Sequence, residues 1–293
     1  MDLPDEVREH CAAVVASARH VSLDPDAVDA VEPGPAPGLD PELHYLEGAP
    51  EEVALWVLAW DAVNFGSGWF PTLRKRPGRS GSLTLTRALT EHVRARGGPW
   101  DAAELRRLRP DAVAEVLDQY PGHELMRLYA RALNDLGHWL GDRPALDRIE
   151  EAAGGSAAAL ARALADGMPL YADAGFYKRA QMTANDLALA GVAAFADLDG
   201  LTIFADNLVP HVLRVDGVLR YDDALAARID AGELIPAGSR EEEEIRAAAV
   251  HAGELLARRL GVPPRALDGW LWNRGQEARY KAVPRHRTRT VFY

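Results

Sequence analysis

The chain reads as a mostly helical protein with room for one small β element. Three observations predict this. Apolar residues recur at three- and four-residue spacing through ten separate stretches. Ser, Asp or Pro stands at the start of most of them, as helix N-termini prefer. Turn-rich or alternating, strand-like segments are few and short.

Taken in order, a first helix is expected over 4–20, opened by Pro4. The Pro/Gly-rich stretch Val31–Gly38 is a loop that sets it apart. A very apolar helix is expected over 50–65, beginning at Pro50. Phe70–Leu85 reads as a small hairpin turning at Pro77–Gly81. Helices over 110–118, 121–140 and 156–165 open at Pro110, Pro121 and Ser156. Two more are expected over 177–191 and 199–215, the latter with Asp199 as its natural N-cap. Helices over 221–231, 239–260 and 263–274 complete the set, and Arg287–Tyr293 alternates enough to be extended. In 239–260, Ser239 and Glu242 form a capping box, and Glu241–Glu244 puts negative charge on the positive helix end. That accounts for the acidic run without a metal. The 293 residues suit one domain, 1–293, or two intimately packed helical subdomains.

Composition narrows the class of partner. The formal net charge is -11, which argues against a broad polyanion such as duplex DNA. No apolar run approaches the ~18 residues of a membrane span. The acidic start, Met1–Glu6, lacks a signal core. A lone cysteine, Cys11, excludes an internal disulfide and fits a reducing cytoplasm. Against this acidic background the chain ends on Pro284-Arg285-His286-Arg287-Thr288-Arg289-Thr290-Val291-Phe292-Tyr293, cations interleaved with aromatic and apolar residues. Such a terminus is expected to dock into the fold and hold a small anion.

Four places carry candidate chemistry. Asp206 lies in the largely apolar stretch 201–213, four residues before Pro210, which cannot donate to the Asp206 carbonyl. The helix must kink or restart there, and Asp206 is either a functional carboxylate or a local cap. Asp197, just upstream, is a second carboxylate or a loop acid. Lys178, Gln181 and Asn185 share a helix face that suits a phosphate or polyol, or simply water. Asp61, Asn64 and Phe65 converge near the end of an apolar helix. There a carboxylate can accept from a guanine-type N1–H and amino group while Phe65 or Trp69 stacks, although core packing explains the tryptophans equally. Walker, HExxH, CxxC and G-x-S-x-G patterns are absent.

Several of these segments occur together in "DAVNFGSGWF", "FYKRAQ", "LTIFADNLVPHVLRVDGVLRYDDAL", "GSREEEEIRAAAVHAGELL" and "LDGWLWNRGQ…PRHRTRTVFY". In that order they resemble the queuosine salvage proteins, which are queuosine 5'-phosphate N-glycosylase/hydrolases. The likeness runs from about Val53 to Tyr293 and is weakest between Leu85 and Gly167. It implies a helical fold similar to helix-hairpin-helix DNA glycosylases, hydrolysis of queuosine 5'-monophosphate to release queuine, and no metal or organic cofactor. It also implies roles. Asp206, with Asp197 as a second acid and Lys178, would be catalytic. Asp61, Asn64, Phe65 and Trp272 would hold the base, and Arg179 belongs to the same Tyr-Lys-Arg motif as Lys178. His286, Arg287 and Lys178 would take the 5'-phosphate, with Tyr293 anchoring the end and Asp199 counted at the substrate site. His211 departs from the family pattern. The expected partner is the nucleotide alone, with neither a membrane nor a stable nucleic-acid complex. Two rivals remain: a non-catalytic helical nucleic-acid-binding module, or a glycosylase acting on intact tRNA or DNA.

Overall fold

Long amphipathic and apolar stretches fold as expected into helices that share one buried cluster. The computed structural model describes every residue except Pro33 and Ala36; the Val31–Gly38 loop expectation thus lies partly outside the described residues. Along the first half run α1 (Leu3–Ala16), β1 (Val21–Leu23), α2 (Pro25–Ala30), α3 (Pro50–Val63), α4 (Gly81–Arg96), α5 (Ala102–Leu105) and α6 (Pro110–Val116). Then come α7 (Glu124–Leu140), α8 (Ala145–Ala153), α9 (Ala157–Gly167) and α10 (Lys178–Leu189). The last third holds α11 (Val209–Val215), β2 (Leu219–Tyr221), α12 (Asp223–Asp230), α13 (Arg240–Leu260), α14 (Pro264–Arg274) and α15 (Ala278–Lys281).

Helix α13 is the axis of one side, packing against α1, α2, α11 and α14. On the other side α3 packs against α7, α8 and α10, and α10 against α9. Trp56, Leu58, Phe65, Leu85, Leu125 and Leu136 are almost fully buried. Each such side chain contributes about 1.5–3 kcal/mol by leaving water.

The expected small β element exists, but elsewhere. Phe70–Leu85 forms no hairpin. A 3-10 turn covers Ser67–Thr72, and α4 begins at Gly81, where the Ser80 hydroxyl accepts from the Leu83 N–H at 3.2 Å. The alternating Leu83-Thr84-Leu85-Thr86 mimicked a strand, yet Leu85, Ala88, Leu89 and Val93 supply a helical stripe that the core buries. The actual ladder pairs β1 with β2 antiparallel, Val21 facing Tyr221. No local pattern announces a pairing across about two hundred residues.

The helix expected over 199–215 is also corrected: it starts only at Val209. Upstream, tertiary partners take the backbone groups a helix would use. The Thr202 N–H donates to Gln181 Oε1 at 3.0 Å, the Phe204 N–H donates to Asp268 Oδ1 at 2.8 Å, and Arg246 Nε donates to the Ala205 carbonyl at 3.0 Å. Pro210 then falls in the first turn of α11, where its missing N–H costs nothing.

The terminus docks. The Gly66 N–H donates to the Tyr293 main-chain oxygen at 2.8 Å, and the Ile235 N–H to the Arg287 carbonyl at 2.9 Å. A Cβ on Gly68 would stand 2.2 Å from the Thr288 carbonyl oxygen, so this close approach requires glycine. The Tyr293 hydroxyl donates to Glu242 Oε1 at 2.8 Å, so the acidic start of α13 is more than a helix-end dipole device.

Candidate functional site

A cavity of about 860 Å³ opens where the end of α3, the start of α4, α10, α14 and the C-terminal segment meet. Its lining carries charge of both signs: Lys178, Asp186, Asp206 and Asp268, and the cations Lys281, Arg285 and Arg287, with Asp206 facing both Lys178 and Arg285; Trp60, Phe65 and Trp272 add aromatic surface.

Lys178 is the first residue of α10, entered through Tyr177 in the left-handed region at φ +49. Such a conformation costs a non-glycine residue of order 1 kcal/mol, and Tyr177 is held in it by packing and by its hydroxyl, which donates to Glu6 Oε1 at 2.7 Å. The ammonium of Lys178 is buried, and its nearest hydrogen-bonding partner is the Met182 sulfur at 3.3 Å. Burial pulls its pKa down from the usual lysine value, and Asp206 opposes that pull.

Asp206 makes the local hydrogen bonds of a cap and also lies at the cavity. Oδ1 accepts from the N–H groups of Leu208 and Val209 at 2.7 and 3.0 Å, capping α11. Oδ2 has no hydrogen-bond partner among the described residues, and the residue lines the cavity. Asp268, on α14, accepts from the Phe204 N–H; burial, reinforced by Asp206, pushes its pKa well up.

Asp61 is placed differently from expectation. It is 0 % exposed and does not line the cavity, and neither of its oxygens receives a hydrogen bond among the described residues. The carboxyl at the cavity wall is Asp186, two turns after Lys178 on the same face of α10. Burial raises Asp186 to about 6, and burial with the Asp186 charge raises Asp61 well above the carboxylate range.

Other expected residues divide cleanly. Asn64, Phe65, Trp272, Arg287 and Tyr293 line the cavity. Trp69 does not; its indole N–H donates to Glu124 at 2.8 Å. Arg179 is 1 % exposed and serves the fold: it donates to the carbonyls of Ala62, Leu170 and Val291, between the rings of Phe65 and Tyr171. Gln181 is likewise spent, on Phe176 and Thr202. Asp197 is corrected to a cap of α9, accepting from Ser156 Oγ and the Ala157 and Ala158 N–H groups, away from the cavity. Asp199 is corrected to an exposed residue paired with Arg265 at 2.6 Å, and caps no long helix. His286 is corrected too. It is 1 % exposed and does not line this cavity, and burial with the nearby Arg285 charge pushes its pKa to about 3, against the charged form that would pair with phosphate.

Reading the sequence missed Asp186, Asp268 and Arg285. Asp186 was findable, because it continues the i, i+4 face of Lys178 and Met182. Arg285 stood beside two residues already singled out, whereas nothing local distinguishes Asp268. Among the described residues no three His, Cys, Asp or Glu side chains are grouped as a metal site, and no helix is long and apolar enough to cross a membrane.

Comparison with known proteins gives this arrangement a context. Residues 43–293 match a family model described as queuosine salvage protein. A queuosine 5'-phosphate N-glycosylase/hydrolase of Sphaerobacter thermophilus is 37% identical over 315 aligned residues, covering 96% of this chain and 95% of that protein. One from Mus musculus is 29% identical over 293 residues, with 86% of each chain covered. One from Dictyostelium discoideum is 39% identical over 127 residues, 40% of each.

Proposed function

Because the chain belongs to the queuosine salvage protein family, we propose that it hydrolyses the N-glycosidic bond of queuosine 5'-monophosphate and releases queuine. The observation that carries the reading is the charge gathered in one cavity, a carboxylate that faces both a buried ammonium and the first of two terminal arginines. This matches a substrate that needs stabilised positive charge at its ribose and bears a dianion at its 5' end.

Cleavage builds positive charge at C1', and a carboxylate close by stabilises it and accepts a proton from the attacking water. Asp206 takes this role, with Oδ1 fixed by the start of α11 and Oδ2 directed to chemistry. Water adds to C1', the electron pair of the C1'–N bond goes to the base, and the proton lost by water ends on a base nitrogen. Queuine is a 7-deazaguanine with carbon where a purine has N7, so departure through N7 protonation is closed. Negative charge on the leaving base must be met elsewhere. Lys178 suits this better than phosphate binding, because it is buried among the carboxyl groups of Asp61, Asp206 and Asp268, whereas the terminal arginines offer the forked donors a phosphate takes. A cation beside C1' would oppose the transition state, whereas one beside the departing base supports it. Arg285 and Arg287 take the phosphate through charge-assisted hydrogen bonds, and Phe65 and Trp272 flank the base. Residues 1–293 act as one domain, with the nucleotide as partner. The buried thiol of Cys11 fits a reducing cytoplasm.

Incubation with queuosine, its 5'-monophosphate and queuosine-containing tRNA, followed by detection of free queuine, tests the reading. Release from the monophosphate is expected. Release from tRNA alone would overturn it in favour of a glycosylase for intact nucleic acid, and release from none would favour a non-catalytic binding module.

A further inference from the structure

We propose that Asp61 and Asp186 share one proton, and that this pair presents Asp186 to the cavity as the acceptor for the hydrogen-donating edge of the base. The assignment rests on the reading of the substrate as a 7-deazaguanine nucleotide and deepens it.

The geometry begins with an anomaly. Asp61, on α3, is 0 % exposed, and neither oxygen has a donor in hydrogen-bonding geometry among the described residues; the nearby Thr183 hydroxyl donates to the Arg179 carbonyl at 2.9 Å instead. Stranding an ionised carboxylate in an apolar interior is far too costly to be the resting state. Its carboxyl stands within hydrogen-bonding range of the Asp186 carboxyl, on the facing side of α10. Two carboxylates only repel, but with one proton between them the contact becomes a hydrogen bond and the orphaned acceptor becomes a donor.

The proton's position follows from burial. Asp61 is sealed behind α10, whereas Asp186 is partly exposed to the cavity and receives a hydrogen bond from Asn185 Nδ2 at 3.0 Å. The proton therefore rests on Asp61 and points at Asp186, which keeps its charge. Both carboxyls titrate upward, chiefly because both are buried. The charged and titratable groups facing the pair are Lys178 and Arg179 from α10 itself, Tyr171 from the preceding turn, Asp268 and Arg265 from α14, and Asp206 from the loop before α11. Lys178 offsets the charge of Asp186 without bonding to it.

An ionised carboxylate braced from behind suits a base that offers an N–H and an adjacent amino group, the pattern of a guanine-type edge. An adenine-type edge puts a lone pair opposite it. Asp61 is then a positioning residue that acts through Asp186.

The test compares equilibrium binding of 7-deazaguanosine 5'-monophosphate with that of 7-deazaadenosine 5'-monophosphate, so the shared phosphate cancels in the ratio. The wild type should prefer the first by about 10- to 100-fold, the worth of one bidentate pair. Asp186→Asn should erase the preference. Asp61→Asn, whose amide still donates, should keep most of it, while Asp61→Leu, which fills similar space without a donor, should lose it. The wild-type preference should also shrink between about pH 7.5 and about pH 6 as Asp186 is protonated, and Asp186→Asn should show no such change. Equal loss in the two Asp61 variants would reduce Asp61 to packing, and a preference surviving Asp186→Asn would overturn the assignment. Queuine release by the wild type together with an unchanged preference would sink this inference alone. The expected preferences without release would sink the hydrolase reading alone.

Discussion

Two clusters of buried charge lie on opposite sides of the chain that enters α10, and they are built on opposite rules. Behind it, Arg246 grips both oxygens of Asp173 at 3.0 and 2.6 Å, donates through Nε to the Ala205 carbonyl, and lies over the rings of Phe176 and Tyr293. Its nitrogens are each engaged, and Asp173, the first of the attracting charges, holds its guanidinium protonated against the pull of burial. In front, the Lys178 ammonium has only a thioether as hydrogen-bonding partner among the described residues, while Asp61, Asp186, Asp206 and Asp268 surround it. Both cations are buried, so burial of charge does not mark function by itself. What separates them is completeness: a closed network holds a fold, and an open one awaits a ligand.

The comparison can be broken in order of expected effect. Asp206→Asn should lower kcat by about 10²- to 10⁴-fold while nucleotide binding and melting temperature stay near wild type. An equally large fall in melting temperature would make the front cluster structural too. Asp173→Ala should do the converse, costing about 3 kcal/mol in denaturant unfolding because the buried Arg246 loses its bidentate partner and keeps only the more distant Glu242 at 3.8 Å. Arg287→Ala removes one proposed phosphate contact and should raise KM for the monophosphate about tenfold, with little effect on the unphosphorylated nucleoside. Acidification sharpens the contrast. The folded pKa of His286, about 3, lies below the unfolded value near 6.5, so the unfolded chain binds the extra proton. His286 should therefore make stability fall as pH drops below about 6.5, measured by unfolding midpoints, and replacing it with an uncharged side chain should flatten that slope. Asp197→Ala, smallest of all, should cost about 1 kcal/mol as a lost cap of α9 with kcat unchanged.

How much of this was legible follows from where each signal resides. Helices with a clear stripe and a capping residue, such as α13 behind Ser239, were readable because both signals are local. The stretch before α11 was not, because its fate rests on Gln181, Asp268 and Arg246, far away in sequence. The same distinction governs the site. Asp206 was flagged by Pro210, a neighbour, whereas Asp61 was assigned to the cavity because a helix face cannot reveal which side carries solvent. Arg179 and His286 sit beside residues that line the cavity, and only the packing shows them turned inward. Spacing finds the groups that share a face; tertiary structure decides which face is wet.

The matched family segment begins at residue 43, yet α1 and β1, which precede it, hold two residues of the later chain in place. Glu244, 1 % exposed, accepts from the N–H groups of Arg19, His20 and Val21, and Glu6 receives the hydroxyl of Tyr177 beside Lys178. A gene trimmed to the family boundary would strip Glu244 of these three donors and of the cover that α1 gives α13, and would release the tyrosine that orients the start of α10. For anyone engineering this scaffold, the leading helix is a splint that travels with the site, and its surface can be redesigned only around those two grips.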